Sequence, residues 1–483
     1  MNHSIVRFIL LKVLAIEGAC MMLPVIISLI YHESQGIVYL GVAVAAVIVG
    51  LLGSKKVPEK TSFYSKEGLI IVGLSWILLT IVGALPFFIT REIPSYIDCI
   101  FETASGFTTT GSTILTDVEA LSHTSLFWRS FTHWIGGMGV LVFLLAILPM
   151  VGGSSINIMK AESPGPSVGK LVPKIKQTAG ILYKIYLGMT IAEIILLLIF
   201  GMPAFDAVTL TFGTAGTGGF GVLNAGIAPY PLACQITITV FMFLFGINFS
   251  LYYLILIGKI KDFFRSEELR VYFLVVVCAT ALITWNISPM FDNLGTALHQ
   301  ASFHVSSIIT TTGYSIGNFD LWPGLSKTIL VLLMFIGACA GSTGGGLKVS
   351  RIILGFKILK NEVRKMLYPN RVKIIKMDGH AVPEETVSGV KGYIVVFFII
   401  FGVSLFIISF DNYDFTTSFT SVATTINNIG PGLNMVGPVE NFTHYSILSK
   451  LVFTMDMLIG RLEIYPMLAI FAPMAWRKNK FAN

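Results

Sequence analysis

Thr108-Thr109-Thr110-Gly111, Thr217-Gly218-Gly219-Phe220, Thr310-Thr311-Thr312-Gly313 and Thr425-Ile426-Asn427-Asn428-Ile429-Gly430 are threonine- and glycine-rich runs that each close a short apolar stretch. One such run is a loop. Four of them, roughly a hundred residues apart and each set between two membrane-length apolar segments, point to one chain folding four pore hairpins about a common axis. Such an arrangement lets a single polypeptide build a ring of carbonyl oxygens for a dehydrated cation.

Composition places the runs in a bilayer. Of 483 residues, 54% are hydrophobic and 12% charged, where a soluble domain carries about 25% charged residues. Mean hydropathy is +0.79, and 46 glycines exceed even the raised level of transmembrane helices. Cys20, Cys99, Cys234, Cys278 and Cys339 have neither pairing nor metal-ligand spacing and read as apolar filler. The net charge of +7 comes from basic residues clustered between apolar spans, which is positive-inside topology and not nucleic-acid binding. The stretch from Ile5 to about Tyr31 carries Arg7 near its start and is too long for a signal-peptide core, so it reads as an uncleaved first helix.

Segments long enough to cross fall near 5–31, 36–53, 68–90, 125–150, 179–202, 232–258, 270–291, 324–356, 389–410 and 446–473. Between them lie Pro94–Phe107, Pro203–Gly216, Asn293–Thr310 and Asn412–Thr425, too short to cross and opened by helix-start residues such as Pro94, Pro203 and Asp414. The expected fold is therefore an all-α membrane protein of about ten transmembrane helices with four re-entrant pore half-helices in pseudo-fourfold arrangement. The expected division is a two-helix leader over 1–66 and pore repeats over 67–150, 151–258, 259–376 and 377–483.

Basic residues follow the even-numbered spans: Lys55, Lys56, Lys60 and Lys66; Lys160, Lys170, Lys174 and Lys176; Lys259, Lys261, Arg265 and Arg270; Lys357, Lys360, Arg364, Lys365, Arg371, Lys373 and Lys376; and finally Arg477, Lys478 and Lys480. The hairpin loops are acidic or neutral. Both termini are thus expected in the cytoplasm, with the hairpins entering from outside.

Gly111, Gly219, Gly313 and Gly430 are the positions where glycine permits a backbone other residues resist, letting carbonyls line a path. Threonine hydroxyls add oxygen ligands, and a half-helix aiming its carboxyl end at the axis adds about half a negative charge. No basic residue lies in any run, which disfavours an anion pore. Gly341–Gly346 interrupts the eighth span. A phosphate-binding loop needs lysine directly after its last glycine and then Ser or Thr, but here Leu347 precedes Lys348 and Val349 follows it. The interruption reads as broken backbone across the path below the filter, tolerated where it lines a water-filled cavity. Arg461 lies within the last span, where an isolated charge is costly. It either pairs with Asp456 or Glu463 or faces the pore. Glu17 and Glu193 sit inside spans, as helix–helix hydrogen-bonding groups or proton or sodium coupling sites. His304 reads as a packed polar residue behind the third filter, and Arg129, Lys327 and Lys450 as anchors of helix ends.

Phe127-Trp128-Arg129-Ser130, Trp134-Ile135-Gly136-Gly137-Met138-Gly139, Ala340-Gly341-Ser342-Thr343-Gly344-Gly345-Gly346-Leu347-Lys348 and Asn427-Asn428-Ile429-Gly430-Pro431-Gly432, with the four filters, resemble the TrkH/KtrB family of bacterial potassium uptake proteins. The likeness covers nearly the whole chain, and the two-helix leader is similar to the TrkH branch. It implies potassium uptake across the bacterial cytoplasmic membrane by a non-enzymatic, channel-like pathway, with coupling of potassium to protons or sodium as the alternative. The filter it implies is Thr109, Thr110 and Gly111; Thr217, Gly218 and Gly219; Thr311, Thr312 and Gly313; and Asn428, Ile429 and Gly430. Glycine in all four filters goes with potassium in that family. Gly341, Gly344, Gly345, Gly346 and Arg461 become an intramembrane gate. The implied partners are a second copy of the chain and a TrkA-like cytosolic ring, which would carry any NAD or adenine nucleotide; this chain itself binds no cofactor. Two departures stand out: Gly218 replaces the threonine of runs one and three, and Asn428-Ile429 occupies the fourth run.

Overall fold

A computed structural model describes residues 2–58, 65–139, 175–368 and 374–476. Several expectations concern residues outside these: Lys60, Lys160, Lys170, Lys174, Arg371, Lys373, Arg477, Lys478, Lys480, the end of the fourth span and the 150/151 repeat boundary.

The chain begins with α1 (His3–Cys20) and α2 (Met22–Tyr31), which run on through Met21 as one apolar span, and returns as α3 (Gln35–Gly53). Small residues let α1 and α3 approach closely. A methyl group on Gly18 would lie 2.6 Å from the Ala43 carbonyl oxygen, and one on Gly50 would lie 2.5 Å from that of Leu11.

Helix, half-helix, non-helical run, helix then recurs. The first unit comprises α4 (Ser65–Gly83), α5 (Leu85–Ile89), α6 (Tyr96–Phe107) and α7 (His123–Gly137). The second comprises α8 (Ile175–Ile199), α9 (Ala204–Gly216), α10 (Leu232–Phe245) and α11 (Phe249–Leu256), with α12 (Ile260–Arg265) as connector. The third is α13 (Glu267–Ile287), α14 (Leu294–Ile309), α15 (Gly324–Ile336) and α16 (Val349–Leu367). A small hairpin of β1 (Lys376–Met377) and β2 (His380–Ala381), turning at Asp378-Gly379, leads to α17 (Glu384–Ile408), α18 (Phe415–Asn427), α19 (Ile447–Arg461) and α20 (Tyr465–Phe471).

The half-helices α6, α9, α14 and α18 have 12, 13, 16 and 13 residues. At 1.5 Å per residue they reach about 18–24 Å, short of a hydrocarbon core about 30 Å thick. Side-chain caps start three of them: Ser95 accepts from the Asp98 amide, Asn293 from Thr296 and Asp414 from Thr417. Pro203 occupies the cap position of α9. Each ends directly at its filter run.

Among the described residues, six helices are long and apolar enough to cross: His3–Tyr31, Gln35–Gly53, Lys66–Ile89, Gly180–Ile199, Glu267–Met290 and Glu384–Asp411. The helices after the filters differ from the continuous spans expected. The sixth span is two helices meeting at 93°, because the Asn248 side chain caps a new start at Ser250. The tenth breaks between α19 and α20, where Glu463 and Ile464 have φ of 60° and 67°. Apolar neighbours hide both breaks in a hydropathy profile.

Glu33, at the tip of the α2–α3 turn, attaches the leader to the first unit. Its carboxylate accepts from the His123 and Thr124 amides (2.8 and 2.9 Å) and the Thr124 hydroxyl (2.6 Å), at the amino end of α7. Burial alone would raise the Glu33 pKa, but hydrogen bonds from Thr124 and His123 prevail and lower it. The attachment is therefore complete above the ordinary glutamate value of about 4.3 and is lost as pH falls through the depressed native value. Thermal unfolding of the detergent-solubilised protein will show this: Glu33→Gln lowers the melting temperature at pH 7, and the gap between variant and wild type closes below about pH 4. A gap independent of pH assigns the effect to packing instead.

Candidate functional site

The four filter runs share one backbone conformation. Thr109, Thr217, Thr311 and Asn428 have φ of 56°, 56°, 60° and 56°, and Gly111, Gly219, Gly313 and Gly430 have φ of 81°, 81°, 84° and 102°. The left-handed region is unusual for threonine and ordinary for asparagine. The next amide in each run turns back to the carbonyl five residues earlier. These bonds are Thr110 to Ser105 (2.9 Å), Gly218 to Gly213 (2.8 Å), Thr312 to Ser307 (2.8 Å) and Ile429 to Thr424 (3.0 Å).

The runs meet in a closed ring. A methyl group on Gly111 would come closer than 3.0 Å to the Gly218 carbonyl oxygen, one on Gly219 to that of Thr312, and one on Gly313 to that of Ile429. A methyl on Gly430 would lie 3.0 Å from the Thr110 oxygen, which closes the circle. The glycines are thus required twice, by positive φ and by the neighbouring carbonyl. All four line one cavity of about 230 Å³, together with Arg129 and Glu440.

Behind the ring, hairpins one and three carry threonine pairs, with Thr108 Oγ1 2.7 Å from Thr110 Oγ1 and Thr310 Oγ1 2.8 Å from Thr312 Oγ1. In hairpin four, Asn428 Nδ2 donates to Thr110 Oγ1 and to the Met457 carbonyl, both at 2.9 Å. This side chain ties the last run to the first and to α19.

The segment 337–348 separates α15 from α16 and lies against the carboxyl ends of α14 and α18. The Gly345 amide donates to Thr311 Oγ1 (2.6 Å) and that of Gly346 to the Asn427 carbonyl (3.1 Å). A methyl on Gly344 would lie 2.8 Å from the Thr310 carbonyl oxygen. Lys348 folds its ammonium back onto the Gly344 carbonyl. Gly341 instead sits beside the bend between α10 and α11, its carbonyl accepting from the Phe249 amide at 3.0 Å.

Arg461 joins this segment to α7. It donates to the Thr343 carbonyl (2.7 Å), to that of Gly137 (2.7 Å) and to that of Gly136. The two neighbouring acids are engaged elsewhere: Glu463 pairs with Arg351, and Asp456 accepts from Ser404 at 2.7 Å.

Arg129 pairs with Glu102 at 2.6 Å and stacks 3.5 Å over Phe220; Lys327 faces Asp320 at 3.8 Å and Lys450 faces Asp98 at 2.7 Å. His304 is packed by its own helix and by Gly317, through contacts to the Gln300 and Gly317 carbonyls (2.8 and 3.2 Å). Glu17 is buried against Gly83, and Glu193 beside Thr214 of α9.

Three residues important to this geometry were given no site role by the sequence, Glu102 counting there only among the acidic residues of the hairpin loops. Glu102 accepts from Thr113 and from the Ile114 amide, fixing the chain just after the first filter. Glu268 Oε1 receives the Ala340 and Ser350 amides (2.7 and 3.1 Å), holding both ends of the glycine segment. His133 packs against the second filter. The available signal was a polar side chain inside or at the end of an apolar helix.

Half-helices converging on a closed ring of non-helical backbone define a helical membrane protein of the pore-hairpin class. The chain belongs to the TrkH family: the family model described as a cation transport protein matches residues 34–478. It is 38% identical to the Trk system potassium uptake protein TrkH of Salmonella typhimurium and 37% identical to that of Escherichia coli K12, over 99% of each chain. The crystal structure of the potassium transporter TrkH from Vibrio parahaemolyticus superposes with a TM-score of 0.88 at 32% identity, covering 99% of this chain and 100% of that one.

The ring makes a stability contrast. Gly219→Ala is expected to cost about 3 kcal/mol or more, since the added methyl meets backbone and the φ is positive. Gly221→Ala, whose methyl would find its nearest atom at 3.4 Å, is expected to stay within about 1 kcal/mol. Thermal unfolding of the two purified variants checks the difference.

Proposed function

We propose that the protein takes up potassium through one central pathway per chain. The observation that carries this reading is the closed circle in which each filter glycine abuts the next hairpin's carbonyl oxygen. Four equivalent oxygens about an axis suit a dehydrated monovalent cation, and half-helices ending at the ring favour positive charge there. The relatives named above are called potassium uptake proteins, and glycine occupies the key position in all four runs.

In this reading the ion is held by Thr109, Thr110 and Gly111, by Thr217, Gly218 and Gly219, by Thr311, Thr312 and Gly313, and by Asn428, Ile429 and Gly430. The segment containing Gly341, Gly344, Gly345 and Gly346 is the gate, and Arg461 holds it shut while adding positive charge below the filter. The leader covers 1–66, and the repeats divide at 67, 151, 259 and 377. Both termini face the cytoplasm, consistent with basic residues such as Lys259, Lys261, Lys357 and Lys360. The protein works as a homodimer in the bacterial cytoplasmic membrane under a cytosolic nucleotide-binding ring, and the basic stretch 357–376 is the docking region.

Flux into liposomes, with and without the ring subunit, tests the mechanism. Channel-like uptake gives a reversal potential that follows the potassium gradient alone; a shift with pH at fixed potassium establishes proton coupling and overturns the channel reading. Gly313→Ser is expected to lower the potassium-to-sodium permeability ratio about tenfold, equivalent to about 1.4 kcal/mol. An unchanged ratio removes the filter assignment. Deleting residues 341–346 raises flux in the absence of the partner if the segment gates, and Arg461→Ala raises it in the same direction.

A further inference from the structure

The second filter lacks the threonine pair found behind the first and third. The equivalent positions are Gly216 and Gly218, and the volume behind them belongs to His133 of α7. A methyl on Gly216 would come closer than 3.0 Å to the His133 carbonyl, and one on Gly218 equally close to the imidazole ring. Gly218 does not have positive φ, so its own backbone would accept a side chain; the ring is what excludes one.

The imidazole is fully buried and bonded at both nitrogens. Nδ1 lies 2.7 Å from the Gly106 carbonyl at the end of the first half-helix, and Nε2 lies 3.3 Å from the Phe220 amide, one residue beyond the filter glycine. A carbonyl only accepts and an amide only donates. The proton is therefore on Nδ1, and Nε2 is the acceptor. One neutral ring spans hairpins one and two, and it also packs against the Phe220 ring with centroids 4.2 Å apart.

We propose that His133 is the positioning residue of the second filter strand, replacing the threonine pair and thereby setting ion discrimination at Gly218 and Gly219. This rests on reading the four runs as a potassium filter. Its distinctive consequence is reciprocity: His133 and the bare Gly218 are needed because of each other.

The test is a double-mutant cycle in liposomes, reading the potassium-to-sodium permeability ratio from reversal potentials. His133→Ala empties the volume and orphans the Phe220 amide, so the ratio should fall about tenfold. Gly218→Thr alone drives a side chain into the ring and should produce a similar fall. The double variant, with the volume refilled, should return to within about threefold of wild type. Additive losses, or an unchanged ratio in His133→Ala, overturn the proposal.

Gel filtration monitors folding. If His133→Ala does not accumulate as monodisperse protein, Gly218→Thr and the double variant decide. Recovery of folded protein and of the ratio in the double supports reciprocity, and failure to recover either overturns it. Gly313→Ser is measured alongside. No change there removes the filter reading itself, whereas a changed ratio in Gly313→Ser with an unmoved one in His133→Ala removes only the role of His133.

Discussion

Backbone that leaves a helix inside a membrane protein must find new hydrogen-bond partners, because no lipid supplies them. The centre of this protein meets that demand with one bond used four times, from the residue before each filter glycine to the carbonyl five residues back in its half-helix. The bond requires the preceding residue to turn left-handed, which costs roughly 1–2 kcal/mol in a residue with a Cβ. Thr109, Thr217 and Thr311 accept that cost, and Asn428 adopts the same conformation more readily. What results is a strand whose carbonyls lie beside the glycine of the neighbouring hairpin, so one local bond organises the whole ring.

The same demand explains why the helices below the ring break together. The Cys339 amide donates to the Gly246 carbonyl, the Phe249 amide to Gly341, and the Thr343 hydroxyl to Phe245. The interrupted ends of α10 and α15 thus satisfy each other. Glu268 takes the Ala340 amide of the glycine segment and the Ser350 amide at the start of α16, and Arg461 takes two carbonyls from the end of α7, where a cation suits the helix dipole. The segment is hydrogen-bonded on several sides, so any movement that opens a path through it must exchange these bonds for others or for water.

The architecture was legible in the sequence because it is written in the lengths of its apolar segments. Half-helices of 12–16 residues end at glycine runs, and no single soluble or membrane-spanning pattern repeats in that way. The likeness at Gly341–Gly346 and Arg461 located two regions that the structure brings together through Thr343. Less visible were contacts that depend on which face of a helix turns inward. Ile247 and Phe249 keep hydropathy high through a 93° bend. His133 and Glu268 are single polar residues whose partners lie in other repeats, so their spacing in the chain carries no trace of the contact. The departure at Gly218 was visible as a missing threonine, but its cause, an imidazole occupying the same volume, is a tertiary fact.

A ring made from one chain differs physically from a ring made of four identical subunits. In a symmetric tetramer every brace behind the filter is repeated, and each must suit all four positions. Here the backbone is kept nearly fourfold while the braces diverge: threonine pairs in hairpins one and three, an imidazole in hairpin two, and in hairpin four an asparagine that also reaches Thr110 and α19. Each brace connects to different neighbours. The first and second hairpins share His133, and the fourth and first share the Asn428–Thr110 bond. The third touches the glycine segment through Thr311 and Gly345. Pseudo-symmetry therefore repeats the glycine–carbonyl contact around the ring and leaves unequal connections behind it, and the bond from the Gly345 amide to Thr311 Oγ1 joins the glycine segment directly to a residue of the third run.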